Sequence, residues 1–326
     1  MKILVTGGAG YIGSVTVAEL VREGNAVTVF DNLSNGHRKA VVQGANLIVG
    51  DLADSSRLAE VFARGSFDAA MHFAAFIEAG ESMKTPERFF RNNTANTLTL
   101  LETMLHNGVK RFVFSSTAAL YGNPETVPIP EDAVLEPTNA YGESKLLVER
   151  ILAWMNRTHG LHYASLRYFN AAGATAELGE FHRPESHLIP LVLQVAAGKR
   201  PEISIFGTDY PTSDGTCIRD YIHVLDLAKA HLLALQALES SDRCIYNLGN
   251  STGFSVRQVV EAARRVTGHP IPVVECPRRA GDPAVLVASS EKIRRELQWQ
   301  PQYANLDEII LSAWEWSQRH PRGYSE

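Results

Sequence analysis

Tyr141 and Lys145, in Tyr141-Gly142-Glu143-Ser144-Lys145, have the types and spacing for proton transfer. Four residues apart on a helix, they share one face. An unperturbed phenol titrates near pH ~10, and a neighbouring ammonium favours the phenolate and lowers that value. Such a tyrosine can exchange a proton with a substrate hydroxyl at neutral pH. Ser115-Ser116-Thr117 end an apolar run. A hydroxyl there can bond the same reacting oxygen; its alternative role is to cap a strand.

A second group has the chemistry of nucleotide binding. Gly7-Gly8-Ala9-Gly10-Tyr11-Ile12-Gly13 follows the first apolar run and precedes a helical pattern. Gly7, Gly10 and Gly13 let a pyrophosphate approach the backbone, and the helix start offers free amides and partial positive charge. A tight turn with no ligand is the alternative. Asp31 ends the second apolar run, and a carboxylate there accepts from ribose hydroxyls and repels a 2′-phosphate. That favours NAD over NADP, although Asp31 could also serve a turn or N-cap. Asp51, after the third run, could reach an adenine edge or cap a helix. The positive nicotinamide of NAD would lower the tyrosine further.

These residues need a frame that brings strand ends together. Lys2–Thr6, Ala26–Phe30, Leu47–Val49, Ala69–Phe73, Arg111–Ser115 and Tyr163–Arg167 read as buried strands. Helical patterns over Val15–Arg22, Ser55–Ala63, Pro86–His106 and Ala140–Thr158 lie between them. Apolar strands separated by helices predict an α/β fold, a doubly wound parallel (Rossmann) sheet covered on both faces. After about residue 169 the rhythm breaks into Gly-, Pro-, Asp- and Thr-rich segments, with helices expected at Leu188–Ala197, Val224–Leu238, Val256–Thr267, Ser290–Leu297 and Leu306–Gln318. The division expected is a nucleotide domain over 1–168, with returns from about 216–250, and a smaller mixed α/β substrate domain over 169–326. Thr216–Tyr221 is a candidate strand for rejoining the first sheet.

Composition narrows the function classes. The 326 residues leave room for two coupled regions. A net charge of −5 excludes a global basic field for nucleic acid, though a few arginines suffice for one phosphate group. Cys217, Cys244 and Cys276 are few and widely spaced, which argues against a disulfide scaffold and a thiolate zinc site and for a reducing compartment, most simply the cytoplasm. No run is long and apolar enough to span a membrane. No HExxH or HxxxH spacing occurs, so no metal is expected, and no G-x-S-x-G elbow supports a hydrolase.

Taken with His72-Phe73-Ala74-Ala75, Leu166-Arg167-Tyr168-Phe169-Asn170, Ile205–His223 and Arg278-Arg279-Ala280-Gly281-Asp282, these motifs resemble the extended short-chain dehydrogenase/reductase family along essentially the whole chain. Within it they are most similar to the UDP-glucose 4-epimerases; Phe206–Thr216 is specific to that group. The resemblance implies a tightly held NAD and transient oxidation to a 4-keto sugar. The sugar then turns about its diphosphate link, and hydride returns to the other face. Binding energy would therefore sit on the nucleotide, leaving the sugar loosely held.

Carried over by position, the resemblance implies catalytic roles for Tyr141, Lys145 and Thr117. NAD would meet Gly7, Gly10, Tyr11, Ile12, Gly13, Asp31, Asn32, Asn35, Asp51, Leu52, Phe73, Ala74, Ala75, Asn92, Ser115, Tyr141, Lys145 and Tyr168. The UDP-sugar would meet Thr117, Asn170, His187, Leu188, Ile205, Phe206, Arg219, Arg279 and Asp282. Arg219 and Arg279 suit a diphosphate, since a guanidinium fork matches its oxygens; their plainer reading is as ion pairs with nearby acids. The chain departs from the pattern at Ile77, where some members carry a lysine, and at His187, where others carry an amide. His187 could equally cap the helix that follows. The position limiting sugar size falls near Val285, a small residue that would admit N-acetylated sugars.

Rival readings share the frame. A 4,6-dehydratase needs an acid and a base after Thr117, where Ala118 and Ala119 stand. A 4-epimerase of another UDP-sugar (N-acetylhexosamine, pentose or uronic acid) would use the same machinery. A non-catalytic NAD sensor could dispense with Tyr141 and Lys145. The resemblance also implies a homodimer formed through Pro86–His106 and Ala140–Thr158.

Overall fold

The computed structural model describes residues 1–279 and 282–325; Ala280, Gly281 and Glu326 lie outside the described residues. Seven parallel strands form the main sheet, in the order Arg243–Leu248, His162–Tyr168, Arg111–Thr117, Ala69–His72, Lys2–Thr6, Ala26–Asp31 and Ala45–Val49. The order reverses between Lys2–Thr6 and Ala69–His72, where a doubly wound sheet opens its ligand crevice. Alternation along each strand makes two cores. Ile3, Val5, Val29 and Met71 pack with Val17, Leu20, Leu227 and Leu235 on one face. Leu4, Phe30, Phe112 and Phe114 pack with Leu58, Leu100, Val148 and Leu152 on the other.

A smaller region has its own core of Ile189, Val192, Leu193, Val259, Ala263, Ile309 and Ile310. Its strand Ile218–His223 pairs with Asn170–Ala172, Gly253–Ser255 and Val285–Leu286. A two-stranded parallel pair, Ile203–Phe206 with Val273–Cys276, lies beside it. The segment Thr216–Tyr221 therefore does not rejoin the first sheet; Arg243–Leu248 does. The reason is polarity. Arg219 and Asp220 would sit badly in a strand covered on both faces, and Asp220 instead accepts the Asn250, Ser251 and Ala288 amides.

Helices bring the site together. The first, Tyr11–Arg22, starts at Gly10 with no side-chain cap. The helix Ala140–His159 is capped by Asn139, which accepts the Gly142 amide, and ends at Gly160 in the left-handed conformation. Gly142 lets this helix start press on the end of the fifth strand, since a Cβ there would stand 2.6 Å from the Ala119 carbonyl oxygen. The helix is bolted down by a buried pair. Arg167 reaches Glu149 at 2.6 Å, and Ser116 donates to the same carboxylate.

The expected single helix over Pro86–His106 is interrupted. It runs as Pro86–Phe89, a wider π turn over Phe90–Ala95, then Asn96–His106. The widening lets Asn93 donate to the Phe76 carbonyl and the Ser144 hydroxyl and accept the Phe76 amide. Such turns recur at functional sites.

Candidate active site

A cleft of about 320 Å³ opens at the carboxyl ends of the strands, at the point where their order reverses. Gly7 forms its floor. It has φ +73°, and a Cβ there would stand 2.4 Å from the Ala74 nitrogen. Side-chain-free backbone is thus required where two strand ends meet. Every residue expected to meet NAD lines this cleft, from Gly7, Gly10, Tyr11, Ile12 and Gly13 through Asp31, Asn32, Asn35, Asp51 and Leu52 to Phe73, Ala74, Ala75, Asn92, Ser115, Tyr141, Lys145 and Tyr168.

The residues fit NAD on local chemistry. The Tyr11–Arg22 helix presents its first-turn amides with no competing cap. Asp31 is buried and accepts the Ala9 amide at 3.0 Å and the Leu33 amide at 2.8 Å, so it ties the glycine turn to the second strand. Burial raises its carboxyl above the usual range while those two bonds oppose the shift. Its turn role and its place in the cleft therefore coexist. Asp51 accepts from the Asn32 amide group at 2.7 Å and from the Ala53 backbone. Asp54, not Asp51, caps the helix that follows.

Tyr141, Thr117, Ser115, Lys145 and Tyr168 form one polar group on the cleft wall. Strand alternation sorts the three hydroxyls: Ser115 and Thr117 face the cleft, whereas Ser116 turns to Glu149 behind it. Thr117 and Tyr141 both line the cleft, and Thr117 also accepts the Ala119 amide at 3.1 Å, so the strand-cap role is real as well. Ser115 and Tyr168 share a hydroxyl–hydroxyl bond.

The expected lowering of Tyr141 by Lys145 is not found. Burial raises the phenol, the nearby Thr117 hydroxyl partly offsets this, and Glu78 raises it further. Lys145 donates to the Ser115 carbonyl at 2.9 Å and lies 4.8 Å from the centre of the Phe114 ring. Burial brings its ammonium down to about 7, so it is only partly charged at neutral pH and its field is weak.

The residues expected to meet the UDP-sugar divide. Thr117, Asn170, His187 and Leu188 line the cleft. Ile205, Phe206, Arg219, Arg279 and Asp282 do not; they gather in the smaller region. Arg219 forms an ion pair with Asp282, and Arg279 stacks 4.0 Å over the Phe206 ring. Val285 is also outside the cleft lining and pairs with Ile218. Ile77 does line the cleft, and its amide donates to Glu78.

His187 precedes the helix Leu188–Ala196 but makes no side-chain cap bond. Its Nδ1 stands 2.7 Å from Glu180 and 3.2 Å from Glu185. Burial opposes its charge, but the two carboxylates outweigh burial and lift it to about 11. Glu180 and His182 also line the cleft, and neither was singled out in the sequence. The spacing Glu180-x-His182-x-x-Glu185-x-His187 is the available signal, and it matches no metalloprotease pattern.

Residues 3–249 match the model of the NAD dependent epimerase/dehydratase family. The chain is 55% identical to a UDP-glucose 4-epimerase of Streptomyces lividans, across 100% of this chain and 98% of that one. Its fold is similar to the crystal structure of UDP-glucose 4-epimerase from Brucella ovis in complex with NAD, with TM-score 0.93, 43% identity and coverage of 99% and 98%. It is also similar to that of Bifidobacterium longum in complex with NAD+ and UDP, with TM-score 0.95, 37% identity and coverage of 99% and 100%.

Proposed function

The chain belongs to the NAD dependent epimerase/dehydratase family, and from that premise we propose that it interconverts UDP-glucose and UDP-galactose with a tightly held NAD. The observation that carries this reading is the convergence of Tyr141, Thr117, Ser115 and Lys145 on one cleft wall, with Lys145 buried and tied to the Ser115 carbonyl. Full-length similarity to named UDP-glucose 4-epimerases supports the substrate.

Gly7, Gly10 and the first-turn amides after Gly10 hold the pyrophosphate of NAD, and Asp31 accepts the ribose hydroxyls on its remaining lone pairs. When bound, NAD supplies the acceptor and donor of hydride at sugar carbon 4. Tyr141 takes the proton from the 4′-hydroxyl and later returns it, and Thr117 holds that oxygen in line. Lys145 positions the wall through the Ser115 carbonyl, to which it donates. The positive nicotinamide lowers Tyr141 where Lys145 alone does not. Asn170, His187 and Leu188 flank the sugar diphosphate, and Arg219, Arg279 and Asp282, gathered in the smaller region, hold the UDP.

The nucleotide half comprises residues 1–168 and the returning helix and strand within 216–250; the rest holds the UDP-sugar. Two chains pair through the helical stretches Pro86–His106 and Ala140–Thr158, the second of which carries the exposed Trp154. The enzyme works in a reducing compartment, the cytoplasm, which suits three free cysteines. Among the described residues no helix is long and apolar enough to cross a membrane.

The test is to offer UDP-galactose without added cofactor and assay UDP-glucose, and to look for NAD released on denaturation. Conversion with about one NAD per chain supports the proposal. Failure with UDP-galactose but turnover of a UDP-pentose or UDP-uronate would overturn the substrate and leave the family untouched.

A further inference from the structure

The loop leading into the helix Leu188–Ala196 carries a four-residue cluster of which the proposed epimerase reading uses only His187. Glu180, His182, Glu185 and His187 each turn one donor atom inward, and these four atoms all lie within 4.8 Å of one another. The separations are 2.7 Å for His187 Nδ1 to Glu180 Oε1 and 3.2 Å for His187 Nδ1 to Glu185 Oε1. They are 3.3 Å for His182 Nδ1 to Glu180 Oε1 and 3.7 Å for His182 Nδ1 to Glu185 Oε2. Donors about 2.0–2.1 Å from a tetrahedral zinc stand about 3.3 Å from one another. With Glu185 Oε2 as its donor, the edges of 2.7, 3.3 and 3.7 Å scatter around that length, and all donors lie within 4.8 Å of one another.

Ion pairing alone leaves this cluster incomplete. Among the described residues His182 Nδ1 is shut off from solvent and stands at ion-pair distance from both carboxylates, 3.3 and 3.7 Å, without meeting hydrogen-bond geometry with either. A buried polar atom without a partner calls for a missing ligand or a strained contact. The carboxylate of Glu185 is already oriented from outside. Its Oε1 accepts the Ser186 and His187 amides at 2.8 and 2.9 Å, which leaves Oε2 toward His182. Outer hydrogen bonds of this kind fix metal ligands in place.

We propose that Glu180, His182, Glu185 and His187 bind one divalent first-row metal ion, with Zn²⁺ the best match. Two imidazoles and two carboxylates in a compact four-donor set suit zinc, whereas magnesium and calcium prefer six or more oxygens. All four donors come from the protein, so the ion is structural. Its place gives it a purpose. Glu180 and His182 line both the main cleft and a second cavity of about 380 Å³, so the ion sits in the partition between them. It would pin a loop of eight residues at the sugar end of the cleft while leaving the Tyr141 wall untouched.

The experiment uses the chain without a histidine tag, which would itself bind zinc and cobalt, and its readouts do not depend on epimerase activity. Metal content is measured after dialysis, then zinc and cobalt are titrated into chelator-treated protein. The expected result is about one zinc per chain and a higher melting temperature with zinc than with chelator. Cobalt should give the visible bands of a tetrahedral site. Glu185→Gln should weaken binding at least about tenfold. If that variant does not fold, His182→Gln is measured in the same way, and the wild-type cobalt spectrum needs no variant. No zinc retained and no tetrahedral cobalt spectrum would overturn the proposal and leave an ion-pair cluster only. Full zinc affinity in folded Glu185→Gln or His182→Gln would overturn it too, since the ion would then sit elsewhere.

Discussion

The two walls of the cleft are built differently. The sheet wall uses strand ends, glycines and helix starts, whose positions follow from backbone hydrogen bonding. All the positions expected to touch NAD lie there in one continuous surface. The opposite side, from the smaller region, uses long charged side chains, Arg219 on the strand Ile218–His223 and Arg279 beyond the strand Val273–Cys276. Arg219 pairs with Asp282, Arg279 lies on Phe206, and neither reaches the cleft lining. A fixed wall suits chemistry, where an atom's place sets the rate. A wall of flexible cations suits gripping a diphosphate that must be admitted and released.

The sharpest division predicted is between turnover and affinity. Tyr141→Phe removes the proton donor while keeping the ring, so kcat should fall by about 10²–10⁴ with bound NAD unchanged. Steady-state kinetics and NAD content check this together. Surviving activity would move the proton-transfer role away from Tyr141 and dissolve the distinction between the walls.

The sheet wall should also be the more rigidly supported. Glu149 and Arg167 are both buried and also engage Ser116 and Tyr121. Glu149→Ala strands the guanidinium, and a loss of about 3–5 kcal/mol in denaturant unfolding is expected. A loss near zero would mean that the helix bearing Tyr141 is held by packing alone.

Lys145 supplies the pH dependence. Its folded value, about 7, lies below the unfolded lysine value, so between these the unfolded chain binds the extra proton. The cost of burying the ammonium is present in full below about pH 7 and fades as pH rises toward the unfolded value. Wild-type stability should therefore rise relative to Lys145→Met across pH 7–9, by at most roughly 1.4 kcal/mol per pH unit. Parallel curves for the two proteins would show that the ammonium is not buried in solution.

How much of each wall was legible follows from the same contrast. Strand ends and glycine turns are local features, so the sheet wall could be read residue by residue. The missed parts were non-local. The π turn at Phe90–Ala95 adds one residue to a helix without altering its apolar rhythm. The seventh strand, Arg243–Leu248, and the small-sheet strand Ile218–His223 have similar lengths, and only the polarity of Arg219 and Asp220 separates them. The expected effect of Lys145 on Tyr141 failed because spacing says nothing about desolvation. The Glu180–His187 cluster escaped because its meaning lies in where four loop side chains converge.

The wall from the smaller region offers the smallest of these effects and the cleanest reversal of the first. Arg219 is mostly buried and its partner Asp282 is half-exposed, so the guanidinium can exchange that carboxylate for phosphate oxygens. Arg219→Ala should raise KM for the UDP-sugar about tenfold or somewhat more, the scale of a charge-assisted hydrogen bond. kcat should stay within about twofold, because that contact is the same in the ground and transition states. Asp282→Asn keeps the guanidinium and frees it from its partner's charge. It should therefore move KM far less than Arg219→Ala does. If both variants lowered kcat instead, the smaller region would be taking part in the chemistry, and the division of labour between the walls would be wrong.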